Sequence, residues 1–248
     1  MTSTSETGHA KNVANFDQLI VFISGYGSVY NPSRPEIKLP ALQTLASSAR
    51  VSLSGINTAL PMFGNAAAAR EVKFASLSKL STRIMNAVKS MATTTAVDDN
   101  VKTLVRKIQG VKATPKLTEE EKKALAAEGK MAREISASQM SFDSRLENFD
   151  KLIQQLASIP EYAPNEPELQ VSSLLALHKE MKNLNDAVVT ATSALSNARI
   201  ARNEILYKEI SGLVDISVDV KTYIKSVFGA SSPQYKQLSK LEFNTIKS

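Results

Sequence analysis

This chain predicts an all-α protein: an elongated bundle of the four-helix type, built from two tandem pseudo-repeats of a long-helix hairpin. Three observations predict it. Hydrophobic residues make up 43% of the 248 residues and aromatics only 6%, the makeup of packed helices more than of sheets. Apolar residues recur at threes and fours over long stretches, with no strand-like alternation. The chain is also similar to itself. Asn15-Phe16-Asp17-Gln18-Leu19-Ile20 returns as Asn148-Phe149-Asp150-Lys151-Leu152-Ile153. Tyr30, Pro35, Glu36 and Leu42 return as Tyr162, Pro167, Glu168 and Leu174, each 132 places on, as Pro164 is from Pro32. Asn65 and Arg70 return at the same interval as Asn197 and Arg202. Internal self-similarity constrains architecture before any other signal.

Residues 1–12, rich in Ser and Thr, are expected as a flexible arm, followed by a first repeat over 13–110, a linker over 111–117 and a second repeat over 118–248 packed with the first as one bundle. Ser33 to Glu36 and Asn165 to Glu168 each place a capping oxygen three residues before a Glu, the pattern of a capping box. The first long helix should run from Glu36 towards Met91 through Leu39, Leu42, Leu45, Ile56, Leu60, Leu77, Leu80, Ile84 and Val88. Pro61, followed by Gly64, should bend it or split it, because a proline removes a hydrogen bond and crowds the preceding turn. Gly110 to Lys116 has linker punctuation. A helix opening at Thr118, with Glu119 to Glu121 in its first turn, should carry Ile135, Phe142, Phe149 and Leu156 and end near Pro160. Leu174, Leu177, Met181, Leu184, Val188, Ala191, Leu195 and Ala198 then form a coiled-coil-like seam. The seam slips at Arg202 and Glu209 and resumes from Leu213, so a kink or break is expected near Glu209 to Gly212. Unbroken, Glu168 to Phe228 would extend about 90 Å at 1.5 Å per residue. Short segments at Val97–Gln109 and Ser231–Phe243 should close the repeats.

Several kinds of chemistry are excluded by subtraction. The chain has no Cys and two His, so it holds no thiolate nucleophile or disulfide. His9 falls in the expected arm and His178 beside the seam, neither with a metal-ligand spacing. No Glu-x-x-His pairs of a di-iron bundle, phosphate loop or nucleophile elbow occur. Gly25-Tyr26-Gly27 lacks the third glycine of a dinucleotide fingerprint and reads as a turn. No catalytic residue, cofactor or metal is therefore expected. The charge of +6 permits contact with anionic surfaces, yet Lys102, Arg106, Lys107, Lys112 and Lys116, like Lys236, Lys240 and Lys247, have few aromatics among them and read as solvated faces.

Two features invite a functional reading. Asn65 with Arg70 and Asn197 with Arg202 are polar pairs repeated where neighbours vary. A buried Arg is costly unless carboxylates or carbonyls fill its fork, so a register-fixing role leads, with anion binding second. Asp17 and Asp150 are candidate partners by chemistry. Val21 and Phe22 stand where the second repeat has Gln154 and Gln155. They are a candidate interface, covered either within the monomer or by another chain.

Val220 to Tyr235, Tyr162 to Leu169 and Ser196 to Arg202 resemble an uncharacterised Bacteroidota-like group of bacterial proteins with no known activity. The resemblance implies a bacterial, all-helical protein and carries no functional residue across.

The leading expectation is thus a non-enzymatic structural or interaction protein that presents long helical faces to a protein partner or to itself, in oligomers or filaments. A membrane-active helical protein, like a pore-forming toxin component, is the alternative. A weak binder of nucleic acid or anionic surfaces is third. No small-molecule substrate is indicated. With no secretory signal and no run of about 20 apolar residues, the cytoplasm is the expected location, and a non-Sec export route would leave no such mark.

Overall fold

The computed structural model describes residues 6–111 and 140–245. It is all-helical, and no strand occurs among the described residues. The expected helix start at Thr118, its acidic first turn, Ile135, Lys112, Lys116 and Lys247 lie outside them.

The first helix, α1, is Thr7–Gly25. Half of the expected arm is therefore helical, because His9 and Asn12 find partners across the fold that repay ordering the chain. Asn12, Val13, Phe16, Leu19, Ile20 and Ile23 form its buried stripe. The capping boxes do not form. Pro35–Ile37 and Pro167–Leu169 are single 3₁₀ turns without side-chain caps. Each turn is held by a tyrosine seven residues upstream of its last residue: Tyr30 donates its hydroxyl to the Ile37 carbonyl, and Tyr162 donates to the Leu169 carbonyl at 2.8 Å. Burial, the first cause in each, raises both phenols, Tyr162 to about 12.

The long helices α2, Leu39–Ala75, and α6, Val171–Tyr207, begin just after those turns and are each 37 residues long. Pro61 sits inside α2 without ending it. It and Asn57, whose carbonyl loses a hydrogen-bond partner, are both exposed, so water can take the partner's place. The split, one of the two outcomes expected at Pro61, does not occur; the helix ends at Ala75, and past Ser76 α3 spans Leu77–Lys89. In the second half the break lies where the seam slips. Residues 208–212 are not helical, Ile210 has φ 68°, and its N–H is held by the Asp215 carboxylate at 2.8 Å. Gly212 is packed so closely there that a Cβ would sit 2.6 Å from the Lys208 backbone N and O.

The helix α4, Thr95–Gln109, ends on Gly110 at φ 69°. Of the span expected as one long helix from Thr118 to Pro160, the described residues Met140 and Ser141 are not helical. The helix α5, Phe142–Ala157, begins after them, because the Ser141 hydroxyl accepts the Ser144 N–H at 3.1 Å. Next come α7, Leu213–Phe228, and α8, Pro233–Ser239, capped by Ser232. Along α3 the fully buried residues are Leu77, Ser81, Ile84 and Val88; along α7 the same order reads Leu213, Ser217, Val220 and Ile224. Both buried serines return their hydroxyl to a carbonyl three residues back, Ser78 and Val214.

The chain forms two compact units, residues 1–63 with 191–248, and residues 64–190. Each boundary between them falls within a long helix, α2 or α6. In the first unit Phe16, Leu19, Ile23, Leu42, Leu206, Leu213, Val220 and Leu238 build one core. Ile56, Ala59 and Phe63 of α2 meet Leu195 and Ala198 of α6 in a smaller seam. In the second unit Phe74, Leu77, Ile84, Ile108, Phe149, Leu152, Leu174 and Met181 build the other core. Phe16 and Phe149 are both wholly buried, each contributing about 2–3 kcal/mol of apolar transfer.

Candidate functional site

The two repeated arginines lie in different units and meet different partners. Arg202, 5% exposed, sends Nη1 to the Glu6 carboxylate and Nε and Nη2 to the Asn203 side-chain oxygen at 3.0 and 2.8 Å. Arg199 also approaches Glu6, at 3.5 Å. One helical turn beyond Glu6, His9 Nδ1 lies 2.6 Å from the Tyr207 hydroxyl. The Asn12 amide donates to the same hydroxyl at 3.3 Å, so the tyrosine proton is free to go to His9 and the imidazole accepts at Nδ1 in its neutral form. Burial lowers the His9 pKa first and the Arg202 guanidinium lowers it further, against a smaller opposing effect of Glu6. Burial also raises the Tyr207 phenol.

In the second unit Arg70 donates to the Asn185 side-chain oxygen at 2.9 Å, and Asn185 donates to the Asp143 carboxylate at 2.7 Å. The Arg70 guanidinium lies 3.8 Å from the centre of the Phe142 ring, which meets Phe74 edge to face at 4.9 Å. Arg145 lies 5.5 Å from the Phe74 ring and donates to the Phe74 carbonyl at 3.0 Å, in the last turn of α2. A cation there complements the negative end of the helix dipole. Stacking on aromatic faces offsets the burial of both guanidinium planes.

Asp17 and Asp150 partner neither arginine: Asp17 pairs with Arg50, and Asp150 accepts from Gln154 at 3.5 Å. Asn65 and Asn197 are exposed, so each Asn–Arg pair is split, as residues five apart on a helix do not share a face. Val21 is 68% exposed, whereas Phe22 is half-buried against the core of its own unit. The structure thus separates the candidate interface pair, leaving only Val21 in water. His178 lies beside Phe149, ring centres 6.1 Å apart. Gly25 to Gly27 is a turn whose Tyr26 ring packs on Phe228.

A second polar group, spread across α1 and α7 of the first unit, has no counterpart in the sequence reading. Asn12, Asn15 and Lys221 all bond main-chain atoms of residues 241–244. Their only sequence signal was the recurrence of Asn15 as Asn148, and Asn148 serves a different end, donating to the Ser144 carbonyl of its own helix at 2.8 Å.

Among the described residues no group of three or more His, Asp or Glu could hold a metal ion. No described helix is long and apolar enough to cross a membrane. Comparison with protein-family models, curated proteins and solved structures finds nothing that matches this chain. These interior ionisable groups are held by one another, by side-chain amides, by aromatic rings or by main-chain carbonyls, while the buried Nε atoms of Arg70 and Arg145 make no hydrogen bond, an arrangement that fixes packing and orients neighbouring segments.

Proposed function

We propose that the chain is a non-enzymatic structural or interaction protein, built from two tandem pseudo-repeats of a long-helix hairpin, that offers its long helices to further copies of itself. The observation that carries this reading is apolar surface left in water on those helices. On α2, Val51 and Met62 are 70% and 59% exposed and stand 11 residues apart, about three turns and so on one face. On α6, Leu175 and Val189 are 43% and 62% exposed, two heptads apart and again on one face. Large apolar side chains aligned on a face are what a helix partner covers. The pseudo-repeat is supported by the equal lengths of α2 and α6, the two tyrosine-held 3₁₀ turns before them, and the matched buried stripes of α3 and α7.

Size-exclusion chromatography with light scattering tests the reading. The wild type is expected at a multiple of its 26.9 kDa chain mass, and Val51→Glu/Met62→Glu should shift it towards the single chain while leaving the helical circular dichroism unchanged. A wild type that stays a single chain at the highest attainable concentration defeats the proposal.

A further inference from the structure

Residues 241–245 are not helical, and their side chains alternate: Leu241 is buried, Glu242 exposed, Phe243 half-buried and Asn244 exposed. That is the period of an extended strand. Its main chain is read by side chains. The Lys221 ammonium donates to the Leu241 carbonyl and lies 4.9 Å from the centre of the Phe243 ring. Asn15 donates to the Glu242 carbonyl at 2.6 Å. Asn12, wholly buried, donates to the Asn244 carbonyl at 2.8 Å and accepts the Asn244 N–H at 2.9 Å. One side-chain amide thereby pairs with both polar groups of a residue, as a neighbouring strand would. Asn12 is itself held through the Tyr207 hydroxyl. Leu241 and Phe243 join the apolar core beside α1 and α7.

We propose that this groove of the first unit is a docking site for an extended peptide of the pattern apolar, any, aromatic, Asn, filled in cis by residues 241–244 and able to take the same segment from a second copy. Main-chain hydrogen bonds supply affinity and alternate side-chain pockets supply selectivity, the mode by which proteins add an extended peptide. Exchange of the cis segment for a trans one joins two copies without any new contact type. The site stands on the first unit alone and does not rest on the apolar faces of the long helices.

The test is fluorescence anisotropy of a labelled peptide with the sequence of residues 240–245, added to the full chain and to a chain ending at Ser239. A short tether gives the cis segment an effective concentration on the order of millimolar. A peptide that binds the open groove at about 10 μM should therefore bind the full chain roughly 100-fold more weakly. Asn12→Ala in the shortened chain should weaken binding about tenfold or more, since it removes two hydrogen bonds to the peptide. Equal binding to both chains, or none to a shortened chain that circular dichroism shows folded, overturns the proposal. Should the shortened chain not fold, deuterium exchange of the full chain decides. A large excess of unlabelled peptide should speed exchange at Asn244, and unchanged protection overturns the proposal.

Discussion

Breaking the Glu6–Arg202 pair from its two sides should have unequal consequences, and the inequality follows from the geometry. Arg202 has a side chain 6% exposed, whereas that of Glu6 is 26% exposed and lies 3.5 Å from Arg199 as well. Glu6→Gln strips the buried guanidinium of its carboxylate and leaves it the Asn203 oxygen. Removing one partner of a fully buried pair costs about 3–5 kcal/mol. Because Glu6 is partly in water, roughly 2 kcal/mol is the expected loss here. Arg202→Met keeps most of the side-chain volume and leaves Glu6 with Arg199 and solvent. Replacing a buried charge by an apolar isostere is commonly near neutral, so this variant should lose under about 1 kcal/mol. Urea titration followed by far-ultraviolet circular dichroism reads both, and the double variant should resemble Arg202→Met. An Arg202→Met loss equal to or larger than that of Glu6→Gln refutes the reasoning. It would mean that the guanidinium contributes net attraction rather than a burial cost met by its partner.

Two further outcomes follow from the same interior groups. The His9 pKa is lowered from 6.5 in the fold, so the unfolded chain binds its proton first; the stability this residue contributes is present above pH 6.5 and declines as pH falls towards the lowered value. His9→Gln should flatten the stability profile below pH 6.5, and an unchanged slope there would show that His9 is not held neutral. Tyr30→Phe and Tyr162→Phe each orphan a buried carbonyl, Ile37 and Leu169, and each should cost about 1–3 kcal/mol. Urea midpoints that move for one and not the other would show that the matched turns are not energetically matched.

Much of the helical layout was legible before the fold was known, for identifiable reasons. The seam from Leu174 to Ala198 is the inward stripe of α6 because a three-and-four spacing leaves a helix no other face to bury. Its slip at Glu209 is a true break, because Ile210 at φ 68° leaves the helical region and Gly212 packs against the Lys208 backbone. Pro61 does not split α2, because the hydrogen bond it removes lies at an exposed position where water can replace it, and exposure is not written in the sequence. The capping boxes misled, since tyrosine hydroxyls from upstream took over the turns. Asp17 as a partner for Arg70 or Arg202 rested on charge alone, and charge does not say that Arg50 stands opposite it.

The sequence by itself determined that the chain is helical, most of the residues that face inward along each long helix, Leu60 of α2 being an exception at 43% exposed, and that catalytic thiols are absent, because these depend on local period and composition. Tertiary structure decided how the two halves divide between two compact units, that Arg202 is held by Glu6 while Arg70 leans on Phe142, and that Asn12, Asn15 and Lys221 converge on residues 241–244. Those pairings join residues separated by up to 232 positions. No local pattern records which distant segment will supply a partner, because that choice is made by the packing of whole helices.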